Sequence, residues 1–234
     1  MITTVLFDLD GTLLPMDNDT FTKGYFGLLA AKLTPYGYDA KSLVSAVWEG
    51  TYAMVKNDGS RTNKEVFWDK FSKILGDGCL KDIPVFDEFY LKDFQNAKQY
   101  CGYQEKAVQA VKLAKQKGLK VALATNPIFP AAATESRISW AGLDINDFEL
   151  YTTYENSRYC KPNPQYFNEI INKLNVTADE CLMVGNDADE DTAACLLGME
   201  IFIVDDCLIN KSGKDLSGYP HGGFDKLINY IDAL

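Results

Sequence analysis

Apolar residues fall into three kinds of run along this chain, and their order sets the architecture. The first is short and continuous: Ile2 and then Val5-Leu6-Phe7 predict a brief buried strand over residues 2 to 7 that feeds directly into Asp8 and Asp10. From about Asp19 to Lys98 the spacing turns helical and aromatic. Phe21, Tyr25, Phe26, Leu28, Leu29 and Leu33 recur at helical intervals, and Leu43, Val44, Val47, Trp48, Tyr52 and Val55 repeat the pattern in a second helix. After the turn Asp58-Gly59-Ser60, the segment Thr62-Asn63-Lys64-Glu65 reads as a capping box for a third helix bearing Val66, Phe67, Phe71, Ile74 and Leu75. A fourth begins near Pro84, with Phe86, Phe89, Tyr90 and Phe94 on one side. Aromatic stripes at this spacing fill cores, so the segment predicts a small helical domain inserted behind the first strand.

The third kind of run starts at Gln104, where helices alternate with short apolar stretches. A helix through Ala107, Val108, Ala110, Val111 and Ala114 stops at Gly118, and residues 119 to 124 read as a strand. Further strands are predicted at 148 to 152, 181 to 184 and 201 to 204, with helices at 130 to 141, 164 to 174 and 188 to 197 between them. A last helix shows Phe224, Leu227, Ile228 and Ile231 on one face, and Asn210 to Gly223 reads as a surface loop containing His221. Buried strands alternating with helices pair in parallel through right-handed crossovers, which predicts an α/β fold with a doubly wound parallel sheet. The expected domains are an α/β core from residues 1–15 and 102–234 and a helical domain from 16–101.

Composition narrows what such a fold can do. With 33 acidic and 23 basic residues in 234 the net charge is −10, which disfavours nucleic acid or an anionic membrane as the main partner. No apolar run approaches the ~20 residues of a membrane span, and the N-terminus lacks the basic start and apolar stretch of a signal peptide. Six scattered cysteines without a Cys-x-x-Cys pair read as reduced thiols of a cytoplasmic protein. The chain has one histidine, so acid-base chemistry falls to carboxylates. Oligomeric state is not legible.

In open parallel sheets, ligands bind beyond the carboxyl ends of the strands. Strand ends here deliver Asp8 and Asp10, then Thr125-Asn126-Pro127, then Gly185-Asn186-Asp187 with Asp189, Glu190 and Asp191 just after. Asp8 and Asp10 face one space if the chain stays extended, and Gly11 lets it leave the sheet. A calcium loop is excluded, because the sixth and twelfth positions hold Leu13 and Asp19 instead of glycine and glutamate. So many acids need a cation, and Lys161 is the candidate: Asn163 suits an N-cap and Pro164 a first helical turn, with Pro162 stiffening the approach. Asp189 and Glu190 read as an acidic helix start, and Arg158 as a solvated arginine.

These four groups in this order resemble the haloacid dehalogenase-like superfamily of hydrolases. Its first motif looks like Asp8-Leu9-Asp10-Gly11-Thr12, its second like Thr125-Asn126, its third like Lys161 in Lys-Pro-Asn-Pro, and its fourth like Gly185-Asn186-Asp187 with Asp191. The resemblance covers residues 1 to 15 and 102 to 206, and it implies a Rossmann-like core with a cap inserted after the first motif. It further implies a Mg²⁺-dependent phosphatase of small phosphorylated metabolites. Asp8 would be the nucleophile giving an aspartyl-phosphate, and Asp10 the acid and then the base. Thr125, Asn126 and Lys161 would bind the phosphoryl group, while Asp8, Asp10, Asp187 and Asp191 would hold Mg²⁺. Asp10 points away from the dehalogenase branch, which characteristically lacks it. A sugar-phosphate mutase on the same motifs, or an idle binding or regulatory module, is the alternative.

Overall fold

The computed structural model describes all 234 residues. Six parallel strands form one sheet: β1 (Thr4–Phe7), β2 (Lys120–Leu123), β3 (Leu150–Tyr151), β4 (Cys181–Gly185), β5 (Glu200–Val204) and β6 (His221–Gly222), ordered β3-β2-β1-β4-β5-β6. β1 therefore sits in the middle, pairing with β2 on one side and β4 on the other, and Phe7 lies level with Leu123 and Val184. That register brings the three polar strand ends named by the sequence side by side. Strand side chains alternate between faces. Val5, Phe7, Val121, Leu123, Leu182 and Val184 pack on one side, and Leu6, Ala122, Ala124, Met183, Ile201 and Ile203 on the other.

Helices cover both faces. α5 (Glu105–Gln116), α6 (Ala131–Trp140) and α8 (Phe224–Asp232) contribute to the first cluster. α7 (Pro164–Leu174) and a 3₁₀ run at Asp191–Leu197 cover the second. That last stretch is a 3₁₀ segment, not the α-helix expected over 188–197.

Between β1 and α5 the chain makes α1 (Asn18–Leu33), α2 (Ala40–Val55), α3 (Asn63–Leu75) and α4 (Ile83–Leu91), followed by a 3₁₀ run at Asp93–Tyr100. Met16 and Cys101 bridge antiparallel, and Gly102 N–H donates to the Pro15 carbonyl at 2.7 Å, so the helical segment leaves and re-enters at one point. The Thr62 capping box is present, with Glu65 answering the Thr62 N–H. Phe21, Tyr25, Phe71, Phe89 and Phe94 of this segment belong to the same apolar cluster as β1 and α6, so its packing is continuous with the core.

Two further expectations change. His221–Gly222 pairs with β5 as a sixth strand inside the stretch read as loop, and His221 Nδ1 lies 3.3 Å from Asp205. A two-residue strand that begins with an exposed histidine carries no hydrophobic alternation to reveal it. On α2 the buried residues are Leu43, Ala46, Val47, Gly50 and Met54, whereas Trp48 and Tyr52 are 53% and 60% exposed. Ala46 and Gly50 lie on that face, and Gly50 has no room for a Cβ against the Phe67 ring.

Candidate active site

The chain turns as soon as β1 ends. Gly11 N–H donates to the Leu14 carbonyl, and Leu14 N–H to that of Leu9. Gly11 takes φ +82°, and a Cβ there would sit 2.3 Å from Asn186 Nδ2, so this position needs glycine twice over. The turn leaves Asp8 and Asp10 on the wall of a cavity of about 570 Å³ together with Thr125, Asn126, Lys161, Asn186, Asp187, Glu190 and Asp191. All the site residues read from the sequence are thus brought together.

At the centre is Lys161, 1% exposed, whose ammonium donates to Asp8 Oδ1 at 3.0 Å and to Asp191 Oδ1 at 2.6 Å. Burial pulls the lysine toward its neutral form. Asp191 and Asp8 outweigh that and hold it charged, well above the ordinary lysine value. Burial pushes both Asp8 and Asp191 upward against the pull of Lys161. Lys161 is aimed from just ahead of α7, where Asn163 caps the helix by accepting from Gln165 N–H at 3.0 Å and Pro164 opens it. The Lys161–Pro162 peptide is cis. Thr12 Oγ1 lies 3.1 Å from Asp8 Oδ2 and 2.9 Å from Asn186 Oδ1, which ties the first strand end to the fourth.

Asp191 reaches this centre because Gly185 lets it. A Cβ at Gly185 would fall 2.0 Å from Asp191 Oδ2, which instead accepts the Asp187 N–H at 2.9 Å. Both oxygens of Asp191 are therefore engaged, one by Lys161. Asp187 lines the cavity and accepts the N–H groups of Asp189 and Glu190 on Oδ1, leaving Oδ2 without a hydrogen-bond partner. Thr125 is 2% exposed, and its carbonyl is fixed by Tyr166 Oη at 2.8 Å and Thr152 Oγ1 at 2.6 Å.

Three residues were missed or misread. Arg137 of α6 is 1% exposed and pairs with Asp10 Oδ2, while its guanidinium lies 4.4 Å from the Phe129 ring centroid. Nothing in the sequence marks it, since one arginine on a helix far along the chain is ordinarily a surface residue. Glu190 is more than a helix-start acid. Its Oε2 accepts from Asn126 Nδ2 at 2.9 Å, and burial pushes its carboxyl up to about 8. Asn126 thereby commits its amide donor to a protein carboxyl. Lys211, in the loop before β6, also faces the cavity. Asp189 instead pins Ser212 on the outside, and Arg158 is exposed as expected.

A carboxyl raised to about 8 lowers stability as pH rises. Between its unfolded value near 4.5 and its folded value the native state holds a proton that the unfolded chain has lost, so unfolding gains ground across that window. Glu190→Gln should therefore stabilise the metal-free protein at pH 8, on the order of 2 kcal/mol after allowance for its partial exposure, and leave it unchanged at pH 4. Urea melts at the two pH values check this, and equal shifts at both would refute it.

A central parallel strand ending in paired aspartates, with a buried lysine and further carboxylates from neighbouring strand ends, defines an α/β enzyme fold built around an acidic cavity. The model of the haloacid dehalogenase-like hydrolases matches residues 2–196, and the chain belongs to that family. No curated protein sequence matches it. Among solved structures it is similar to a haloacid dehalogenase-like phosphatase from Thermococcus onnurineus (TM-score 0.58, 19% identity, 98% of each chain). It is also similar to a predicted phosphoglycolate phosphatase from Haemophilus somnus 129PT (0.59, 14%, 98% of this chain and 97% of that one). L-2-haloacid dehalogenase from Xanthobacter autotrophicus superposes equally well (0.58, 16%, 100% of each). At these identities the likeness speaks for the fold. No helix is long and apolar enough to cross a membrane.

Proposed function

We propose that this hydrolase is a Mg²⁺-dependent phosphomonoesterase of small phosphorylated metabolites, with Asp8 as nucleophile and the helical insertion as its cap. The observation that carries the reading is the excess of carboxylate: Asp8, Asp10, Asp19, Asp187 and Asp191, beside the Glu190 carboxyl that burial pushes up to about 8, line the cavity against Lys23, Lys161 and Lys211. Only Lys161 touches Asp8. A phosphate brought to 4 Å from a carboxylate meets repulsion of roughly 4 kcal/mol per charge pair at an effective dielectric of 20. One lysine already shared with Asp191 does not offset that.

The donors present fit a hard divalent cation. Asp10 Oδ1 and Asn126 Oδ1 are buried acceptors with no donor, and every polar group facing the cavity from the strand ends offers oxygen, apart from Lys161 and the Asn126 and Asn186 amides. No three of these carboxylates are gathered around one point. Asp8, the backbone carbonyl of Asp10 and Asp187 would hold Mg²⁺; Asp191, its oxygens engaged, would serve by fixing Lys161. Bound there, the ion supplies charge that lets a phosphate approach Asp8.

The protein's own groups do the rest. An Asp8 oxygen attacks phosphorus and the ester P–O bond breaks, with the electron pair leaving on the alcohol oxygen. Asp10, once released from Arg137 and protonated from solvent, gives that oxygen its proton. It then takes a proton from the water that attacks phosphorus and frees Asp8 and inorganic phosphate. Lys161 and Thr125 steady the phosphoryl oxygens. Six unpaired cysteines support a cytoplasmic location.

EDTA should silence hydrolysis of phosphate esters, with Mg²⁺ restoring it; activity indifferent to chelation would remove the metal from the reading. One observation favours a second reading, displacement of halide from carbon. The Asp10 carboxylate is committed to Arg137, and expulsion of halide needs no acid. Chloride release from a 2-chloroacid without phosphate release from any ester would establish dehalogenation instead.

A further inference from the structure

Behind the acidic cavity lies a second, apolar space of about 90 Å³. Thr22, Phe26, Trp48, Ile128 and Phe129 belong to the walls of both, so the two spaces adjoin through a single layer of side chains. The deeper wall comes from the helical insertion, with Leu29, Val47, Phe67 and Trp68, and no charged residue borders it. The hydroxyls of Tyr25 and Tyr90 are spent on each other at 2.8 Å. The hydroxyls of Thr22, Thr51 and Tyr154 also border the space. Trp68 is 8% exposed, and its buried indole N–H makes no well-formed hydrogen bond, although the Tyr154 hydroxyl is near it. An unmade hydrogen bond of this kind costs about 1–3 kcal/mol, which a bound acceptor would relieve.

The space is far larger than the ~15 Å³ a single water needs, and most of its lining is apolar. It is smaller than the ~150 Å³ core cavity that accepts benzene. Its size and lining suit an unbranched arm of roughly four heavy atoms.

We propose that this recess binds the non-phosphorylated end of the substrate, and that the substrate class is phosphate monoesters of small alcohols with a short, neutral, mainly apolar arm carrying one acceptor for Trp68. The inference rests on the phosphomonoesterase reading for the other end of the molecule. Phe26, Trp48 and Phe129 form the passage between the two ends, which explains a half-exposed tryptophan on α2 facing the acidic cavity.

The test compares esters within one protein, because a ratio of substrates does not depend on how much of a variant is folded. With Mg²⁺, n-butyl phosphate should exceed methyl phosphate in kcat/KM by roughly tenfold or more, about what burial of two of its three additional methylenes supplies. In Thr51→Phe, which fills the recess from α2, the ratio should fall to about one. The ratio of 2-methoxyethyl to n-butyl phosphate should drop in Trp68→Phe, which keeps an aromatic ring and removes the donor. A wild-type ratio near one, or a preference that survives Thr51→Phe, overturns the recess; an unchanged ratio in Trp68→Phe overturns the role of the indole. If no ester is hydrolysed, binding of butylphosphonate against methylphosphonate, followed by tryptophan fluorescence, reads the same preference. A tenfold difference there upholds the recess while the phosphomonoesterase reading fails, and equal binding overturns both.

Discussion

Asp8→Asn should reduce phosphate release from any monoester by at least ~10⁴-fold while the protein stays folded. Losing the attacking group of a covalent mechanism removes the route itself, and such losses reach ~10⁶ where no other group can substitute. Folding is a separate matter. Burial already pushes the Asp8 carboxyl upward, so a neutral amide of the same shape relieves a desolvation cost. Lys161 is not orphaned, because Asp191 keeps it at 2.6 Å. The denaturation midpoint should therefore stay within about 1 kcal/mol of the wild type. Turnover above a thousandth of wild type would remove Asp8 as nucleophile. Asp10→Asn should behave differently, since a leaving-group acid matters only when the leaving group is poor. Alkyl esters should lose most of their rate, and an aryl ester with an acidic phenol should still form the phosphorylated enzyme.

The separate roles of the two aspartates came only from the family resemblance, but the placement of the pair was legible in the sequence because it depends on local order: an apolar run, Asp-x-Asp, then glycine. The same holds for Lys161, whose Asn163 cap and Pro164 are read directly from neighbours in the chain. What could not be read is contact across elements. Arg137 stands 127 residues from Asp10, and only the packing of α6 against the β1 turn brings them together. Glu190 looked like a helix-start acid because the sequence shows the charge and not the burial that raises it. Trp48 and Tyr52 share helical spacing with the core residues of α2, but periodicity cannot distinguish the face packed on Phe67 from one left exposed, where Trp48 borders the cavity and Tyr52 meets solvent. His221 hid its strand by pairing through two residues alone. Local covenants of backbone and cap are visible in one dimension; shared cavities are not.

The largest effect on stability should come from Lys161→Met. The side chain is 1% exposed and is the only cation in contact with Asp8 and Asp191, so its loss leaves two buried carboxylates with no positive partner. Removing one member of a buried ion network costs about 3–5 kcal/mol, against about 0–1 for the surface pairs elsewhere in this chain. The sign of its pH dependence follows from the carboxyls. Their folded values are already raised by burial and rise further without the lysine, so the native variant retains protons that the unfolded chain releases near pH 4. Its stability should fall as pH climbs from there, making the deficit largest at pH 8 and smaller at pH 5. Guanidinium melts at both values would show it, and a deficit that grows toward acid would mean the carboxylates are not what Lys161 restrains. Added Mg²⁺ should recover part of the loss at pH 8 if the strand-end carboxylates bind it, and recovery of stability without activity would separate the two duties of the lysine: holding the acids in place, and meeting the phosphate.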